Sequence, residues 1–194
     1  MRQSTLTSPA RQSRAGVSTG GAGPVPGVVP YVPPAVARAI DTASSLVGRR
    51  TVVLDGVDYG SDCAALVRAA FASAGHPLPP DARDAPAVYA LAARRGALSA
   101  SRRPRPGDLL FLSDRPAGPP AHVGIVVRSE PDGTVVLVQR VARGVLRVRV
   151  NLAYPEQPTD PSTGKHINDT LVVGTRAVPA GSLVVGVSDM LRHS

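Results

Sequence analysis

Cysteine is almost missing from this chain: Cys63 is the only one in 194 residues. A single thiol cannot form an internal disulfide, so the fold must be stabilised by its packed core. The histidines are far apart in the sequence, and none stands at a zinc-ligand spacing from Cys63; they are His76, His122, His166 and His193. We therefore expect neither a metal site nor a bound cofactor.

Aromatic residues and long apolar runs are also scarce. The chain has two Phe, four Tyr and no Trp, so its core must consist mainly of Ala, Val, Leu and Ile. No stretch approaches the ~20 apolar residues that a membrane-spanning helix needs. The N-terminal segment has no apolar run typical of a secretory signal. The sequence thus predicts no membrane span and leaves the localisation unknown.

Acidic residues are outnumbered by basic ones, mostly arginine. The chain has 22 Lys+Arg and 14 Asp+Glu, which gives a formal net charge of +8. Such an excess favours anionic partners, and nucleic acid, anionic lipid and cell-wall polymers all qualify. Nucleic acid is disfavoured, because the sequence has neither an aromatic stacking platform nor a helix-turn-helix pattern. A bias in composition explains the excess equally well.

Composition divides the chain into three parts. Residues 1–33 are rich in Ser, Thr, Gly and Pro and show no period, which predicts a disordered tail. Residues 34–188 contain the periodic segments and form the predicted folded domain. Residues 189–194 are predicted to be a C-terminal tail.

Helices precede strands in the pattern of apolar residues. Helical periodicity covers three segments, about 35–47, 62–74 and 84–95. Ser61 is the expected N-cap of the second helix, which carries Cys63 near its first turn. Strand-like runs follow at 107–113, 121–128, 134–141 and 145–150, and two further runs, 170–174 and 182–187, are expected as edge strands. Because βα alternation is absent, the fold class is α+β with an antiparallel sheet.

Two interpretations of Cys63 follow from its helix. It lies on the apolar stripe, and a free cysteine is among the residue types that are most often buried. A helix N-terminus, however, carries unpaired N–H groups and partial positive charge, which would lower the pKa of the thiol and activate it. The helix alone does not decide between a packed side chain and a nucleophile.

His122 and Gln139 are the candidates for supporting a nucleophile. His122 opens the strand-like run HVGIVV after a Gly/Pro loop, and its imidazole could serve as a general base or could simply be a polar residue at a strand end. Counting back across the turn EPDG brings Gln139 near His122, where its side-chain carbonyl could orient the ring. Alternatively, Gln139 faces solvent, and His166 is a distant rival for the third position.

A series of motifs between about residues 38 and 140 resembles one known family. The segments ASSLVG, DCAALV, AGHPLPPDAR, PRPGDLLFL and HVGIVV occur in the order found in the NlpC-type cysteine peptidases, a papain-like group that acts on bacterial cell walls. The resemblance implies a papain-like fold, with N-terminal helices and the cysteine helix packed on an antiparallel sheet of about five to six strands.

The same resemblance implies the roles of the site residues. Cys63 would be the nucleophile, His122 the general base and Gln139 the third member, with Asp62 and Tyr59 contacting substrate. The chain departs from the family at Ala64, where a serine is usual, and at Gln139, where a histidine is common.

The implied function is hydrolysis of amide bonds in peptidoglycan stem peptides by an endopeptidase or amidase. Peptidoglycan or a muropeptide would be the substrate, and anionic wall polymers would be possible partners. Such an enzyme would act outside the cell or in its envelope. Two alternatives remain: an amidase or acyltransferase with a substrate outside the cell wall, and a non-catalytic basic binding module.

Overall fold

Three α-helices form the first half of the protein. The computed structural model describes residues 31–100 and 103–193, and its helices are α1 Pro34–Ser45, α2 Ala65–Ser73 and α3 Ala85–Arg94. Both α1 and α3 have a proline at N1 or N2, where the missing N–H is not needed. Asp84 caps α3 by accepting the N–H of Ala87 at 2.8 Å. Within the described residues, no helix is both long and apolar enough to cross a bilayer.

The second half builds an antiparallel sheet of six strands. In chain order the strands of the protein are β1 Val53–Leu54, β2 Val57–Asp58, β3 Leu98–Ser99, β4 Leu109–Ser113, β5 Pro120–Ser129, β6 Thr134–Val141, β7 Gly144–Asn151, β8 Thr170–Val173, β9 Arg176–Pro179 and β10 Val184–Ser188. The large sheet has the order β3-β10-β4-β5-β6-β7, and β1–β2 and β8–β9 are separate hairpins. The predicted α+β class is confirmed, with helices first and an antiparallel sheet whose six strands fall within the expected five to six.

The prediction that the last two strand-like runs are edge strands of this sheet is wrong. The segment 182–187 corresponds to β10, which pairs with both β3 and β4 and lies inside the sheet. The segment 170–174 corresponds to β8, which pairs only with β9. Apolar content alone cannot tell these positions apart, because pairing across a long connection is not encoded in local periodicity.

Each face of the large sheet has its own apolar cluster. The first cluster joins the three helices to one set of sheet residues, which includes Leu109, Phe111, Val123, Ile125 and Val138. The second cluster contains the alternate residues of the same strands, which include Leu110, Leu112, Val126 and Leu137, together with Leu183 and Val187. Successive side chains of a strand point to opposite faces, so the two clusters follow directly from the continuous apolar runs.

The motif Pro-Gly-Asp before β4 is explained by packing. Gly107 has a φ of +93°, and a Cβ at this position would collide with the side chain of Val36 on α1. Asp108 is buried, and its Oδ2 accepts the N–H of Arg105 at 2.8 Å. Its Oδ1 accepts a bond from Arg192 Nε at 3.2 Å, which connects this turn to the C-terminal segment.

The tail predictions have different outcomes. Residues 1–30 lie outside the described residues, so the predicted disordered tail stays a prediction. Residues 189–193 are described, and Met190–Arg192 form a short 3₁₀ helix in which Met190 and Leu191 are buried in the first cluster. The prediction of a C-terminal tail is therefore wrong for these residues, because two apolar side chains dock there.

Candidate active site

Cys63 lies in the turn that leads into α2. The helix begins at Ala65 with Ala64 as its N-cap, so the predicted cap at Ser61 is wrong. No side chain caps α2, and Asp62 stabilises the preceding turn, where its Oδ1 accepts the N–H of Ala64 at 2.9 Å. α2 packs against β5 and β6, which are the strands that carry His122 and Gln139.

The surroundings of Cys63 favour the protonated thiol. Burial raises the pKa of the Cys63 thiol, and the carboxylates of Asp62 and Asp84 raise it further. The backbone N–H of Ala85 acts in the opposite direction by donating to the sulfur. The expectation of a lowered pKa at a helix N-terminus is therefore wrong, because desolvation outweighs the backbone donors. Cys63 is half-buried and packs against the first cluster.

His122 and Gln139 line one cavity of about 500 Å³. Pairing across the sheet brings them together, since Leu112 is opposite His122 and Gly124 is opposite Gln139. Asp114 and Arg143 add charged groups to the wall, and Thr170 lies on the β8 side. The rest of the wall is mainly apolar and includes Leu112, Leu146, Leu171, Val173 and Leu183. Counting across the hairpin predicted this neighbourhood of His122 and Gln139.

Two buried polar atoms of this site are unpartnered. Among the described residues, neither His122 Nδ1 nor Gln139 Oε1 has a hydrogen-bond partner. The bond that we expected from the Gln139 carbonyl to the ring is thus not formed. Buried polar atoms are normally paired, so two unpaired ones beside a cavity are available to a ligand or water.

Burial also shifts the pKa of His122. Desolvation lowers the pKa of this imidazole below its ordinary value of 6.5, and the negative charge of Asp114 partly opposes the shift. The ring is therefore mostly neutral at pH 7. A neutral ring with an unpartnered Nδ1 can accept a proton, as a general base must.

Cys63 is not among the residues that line the His122 cavity. That cavity is bordered by members of the second cluster, such as Leu112 and Leu183, whereas Cys63 packs against the first. The structure therefore brings together two of the three predicted catalytic residues and leaves the thiol outside their cavity.

Asp62 and Tyr59 belong to a different cavity, of about 430 Å³. They line it together with Asp58, Arg68 and Arg83. Ala64, where the family usually has serine, is fully buried. The predicted role of Asp62 and Tyr59 in substrate binding stays a prediction.

Two charged residues near these predicted site residues were not predicted from the sequence: Asp114, which lines the cavity of His122, and Arg68, which pairs with Asp62. Asp114 could have been found, because an antiparallel pairing of 107–113 with the HVGIVV strand brings the end of the first beside His122. Arg68 lies six residues after Asp62 in the sequence. This separation is not the i+3 or i+4 spacing of a helix, so the helical period of the sequence did not predict their contact. His166, the rival for the third position, pairs with Asp169 at 2.7 Å and does not line the His122 cavity.

No cluster of three or more His, Cys, Asp or Glu side chains that could hold a metal ion occurs within residues 31–100 and 103–193. The site chemistry available in the described part of the chain is thus that of a thiol, an imidazole, an amide and carboxylates.

No curated protein matches the chain. The crystal structure of Ly7917 is similar, with a TM-score of 0.41 and 19% identity over 59% of this chain. The structure of Ly7917 with the hydrolyzing product of MDP has a TM-score of 0.40 and 17% identity over 61% of this chain. The chain spans little more than half of Ly7917, 55% and 57% in the two cases.

The sequence model of the NlpC/P60 family matches residues 48–164. This span contains Cys63, His122 and Gln139, together with Asp62 and Tyr59. Since the match covers more than half of the protein, the chain belongs to the NlpC/P60 family.

Proposed function

We propose that this protein is a cysteine-nucleophile hydrolase that cleaves amide bonds in peptidoglycan stem peptides, as an endopeptidase or amidase. Membership of the NlpC/P60 family supports the broader statement, a hydrolase of cell-wall peptides. The observation that carries the cysteine mechanism is the His122 cavity, where the Nδ1 atom of His122 is unpartnered. His122 lies on β5, and α2, the helix that follows Cys63, packs against this strand.

The resting site would be a neutral thiol–imidazole pair. The pKa of Cys63 is raised and that of His122 is lowered, so at pH 7 the thiol keeps its proton and the ring is unprotonated. Attack on the substrate carbonyl would then transfer the thiol proton to His122 Nδ1 while the C–S bond forms. The imidazolium would return this proton to the departing amine, which leaves a thioester on Cys63. Water, deprotonated by His122, would then attack the thioester, and the imidazolium would return the proton to the departing Cys63 sulfur as the acid is released.

Two other groups would assist. The N–H groups of Ala64 and Ala65 are bonded to Asp62, which leaves the Cys63 N–H as the candidate oxyanion donor at this turn. Asp114 would stabilise the imidazolium through its negative charge. Gln139 is neutral and cannot stabilise the imidazolium in this way. Gln139 would orient the ring once a substrate reorders the cavity.

Proton transfer requires the Cys63 sulfur to come within hydrogen-bond reach of the ring. Catalytic hydrogen bonds are often long or misaligned in free enzymes and tighten when substrate binds. The His122 cavity and Cys63 lie at opposite faces of the sheet, so in our proposal substrate rearranges the start of β5 and brings the imidazole to the turn that carries Cys63.

The experiment that tests the function uses isolated muropeptides. We expect the protein to release new amines from them, and the masses of the products distinguish cleavage between two amino acids from cleavage at the lactyl amide. The matched control is the same preparation alkylated with iodoacetamide, which modifies the one cysteine. If muropeptides stay intact while Cys63 still reacts with iodoacetamide, the cell-wall substrate is wrong and another amide substrate is favoured.

The pH dependence of the reaction should reflect both shifted groups. We expect kcat/KM to rise with pH around a midpoint below 6.5, because a protonated His122 cannot accept the thiol proton. The value of kcat/KM should then stay constant until a pH above 9.0. There the Cys63 thiol ionises, and the Cys63–His122 pair loses the proton that it transfers to the leaving amine. The measurement is kcat/KM between pH 4 and 10 on a muropeptide.

Asp114→Asn provides the check on that profile. Asp114 raises the pKa of His122, so its removal should move the acid midpoint still lower. Asp41→Asn, an exposed carboxylate on α1, should leave the profile unchanged. An upward shift in Asp114→Asn, or an acid midpoint well above 6.5 in the parent protein, would contradict the assignment of His122 as the base.

A further inference from the structure

The carboxylate of Asp62 is already held by a guanidinium. Arg68 on α2 forms a two-point ion pair with it, Nη1 to Oδ1 at 3.0 Å and Nη2 to Oδ2 at 2.8 Å. The same guanidinium donates to the carbonyls of Ala82 and Tyr59. The Arg68 side chain is 16% exposed and the Asp62 side chain 37%, so solvent screens this two-point ion pair only in part.

The carboxylate of Asp62 has a second hydrogen-bond donor in its own turn. Oδ1 also accepts the N–H of Ala64, immediately after Cys63. Both carboxylate oxygens are thus engaged, and the negative charge is compensated within the protein. A free ammonium group arriving here would be attracted by the carboxylate and repelled by the guanidinium at nearly the same distance.

The cavity around this pair is balanced in charge. Its wall has two carboxylates, Asp58 and Asp62, and two guanidinium groups, Arg68 and Arg83. Apolar surface is supplied by Pro77, Leu78 and Pro80. Such a wall suits a neutral group with some apolar surface better than a cation.

We infer that Arg68 determines substrate preference, so that the cavity beside the Cys63 turn takes an N-acylated peptide rather than a peptide with a free amine. This inference rests on the proposed function and specifies its substrate class. In a cell-wall polymer, an acylated stem peptide is one whose first amino group is still in amide linkage. Arg68 acts through Asp62 and is a specificity residue, not a catalytic one.

Binding of two matched peptides tests the inference. The peptides have one stem-peptide sequence and differ only in carrying a free α-amine or an N-acetyl group. Their Kd values are measured by calorimetry on the Cys63→Ala protein, which prevents turnover. We expect the N-acetyl peptide to bind more tightly by at least about fivefold, and Arg68→Gln to shift that ratio toward the free amine by about fivefold or more, because it uncovers the Asp62 charge.

Two further variants separate charge from structure. Arg68→Lys retains the positive charge without the two-point geometry, so it should keep the preference for the acylated peptide even if binding of both weakens. Arg83→Gln removes the other guanidinium of the same cavity, whose Nε bonds to the Pro80 carbonyl at 3.0 Å rather than to Asp62, so it should shift the ratio toward the free amine by less than Arg68→Gln does. A loss of fold in Arg68→Gln would appear in its thermal midpoint, and Arg68→Lys then carries the test.

Any one of four results would contradict the inferred preference for an N-acylated peptide. A parent protein that prefers the free amine, an unchanged ratio in Arg68→Gln, a reversed preference in Arg68→Lys, or no binding of either peptide would overturn the inference. Hydrolysis is followed in parallel on the protein that retains Cys63. Preferential binding of the acylated peptide without hydrolysis would leave the inference standing and count against the proposed catalysis alone.

Discussion

Cys63→Ala is expected to abolish the release of amines from muropeptides, and His122→Ala to lower kcat/KM by about 10³-fold or more. Without the sulfur no thioester can form, and without the imidazole a thiol with a raised pKa has no acceptor for its proton. The two residues act as one unit, so the double variant should lose no more than Cys63→Ala alone. The measurement is kcat/KM from product masses at several substrate concentrations.

His166→Ala is the matched control for the histidine variant. This ring is exposed, pairs with Asp169 and does not line the His122 cavity, so kcat/KM should stay within about twofold of the parent. Activity retained in Cys63→Ala would refute the thiol mechanism outright. Activity retained in His122→Ala with loss in Cys63→Ala would mean that another group serves as the base.

The rate of alkylation of Cys63 gives an independent view of the same pair. Because burial raises the pKa of the thiol, iodoacetamide should react slowly at neutral pH unless His122 removes the proton. In our proposal the free protein also reaches the arrangement with the ring beside the thiol transiently, so His122→Ala should slow the reaction at pH 7 and have little effect above the thiol pKa. Equal rates in both proteins at pH 7 would show that the ring does not reach the thiol.

Asn168→Ala is expected to lower the free energy of unfolding by about 3 kcal/mol or more, the largest effect on stability that we anticipate. Asn168 is fully buried. Its Oδ1 accepts the N–H groups of Asn151 at 2.8 Å and Gly181 at 3.0 Å, and its Nδ2 donates to the carbonyls of Tyr154 at 2.9 Å and Gln157 at 2.7 Å. Alanine would leave all four groups without this partner.

Urea unfolding followed by circular dichroism measures this loss. Gln157→Ala is the control, because its exposed side chain is removed while its carbonyl still accepts from Asn168. That variant should change the free energy of unfolding by less than about 0.5 kcal/mol. A loss below about 1 kcal/mol in Asn168→Ala would show that water replaces the amide and that the segment between β7 and β8 is not fixed by this residue.

Local patterns predicted most of the elements of this fold. The stripe on α2 and the apolar runs of β4 to β7 were found because each is continuous in sequence and has a clear period. The position of β10 was not found, since its pairing with β3 and β4 is decided by contacts that local periodicity does not contain. Asn168 was not identified from the sequence, because one buried amide in a mostly polar segment gives no compositional signal.

The candidate site shows the same division between local and distant information. The order of motifs identified Cys63 and His122, and a simple hairpin count brought Gln139 to the same cavity as His122. The direction of the Cys63 pKa shift was mispredicted, because the burial of the thiol and the nearby charge of Asp84 arise from packing against segments outside its own helix. The Arg68–Asp62 pair was also missed, since side-chain direction on a short helix is fixed only after packing.

The place of β10 in the sheet has a consequence for how the protein acquires its structure. β10 is the last strand along the chain, yet it lies between β3 and β4, so both neighbours remain unpaired on that side until residues 184–188 have been synthesised. Contacts that join such distant segments make folding slow, and unpaired strand edges favour association between chains. The N-terminal helices and the hairpins of β4 to β7 can form during synthesis, whereas closure of the sheet must follow it. Any nascent chain that stalls before β10 would therefore present two open strand edges to its neighbours.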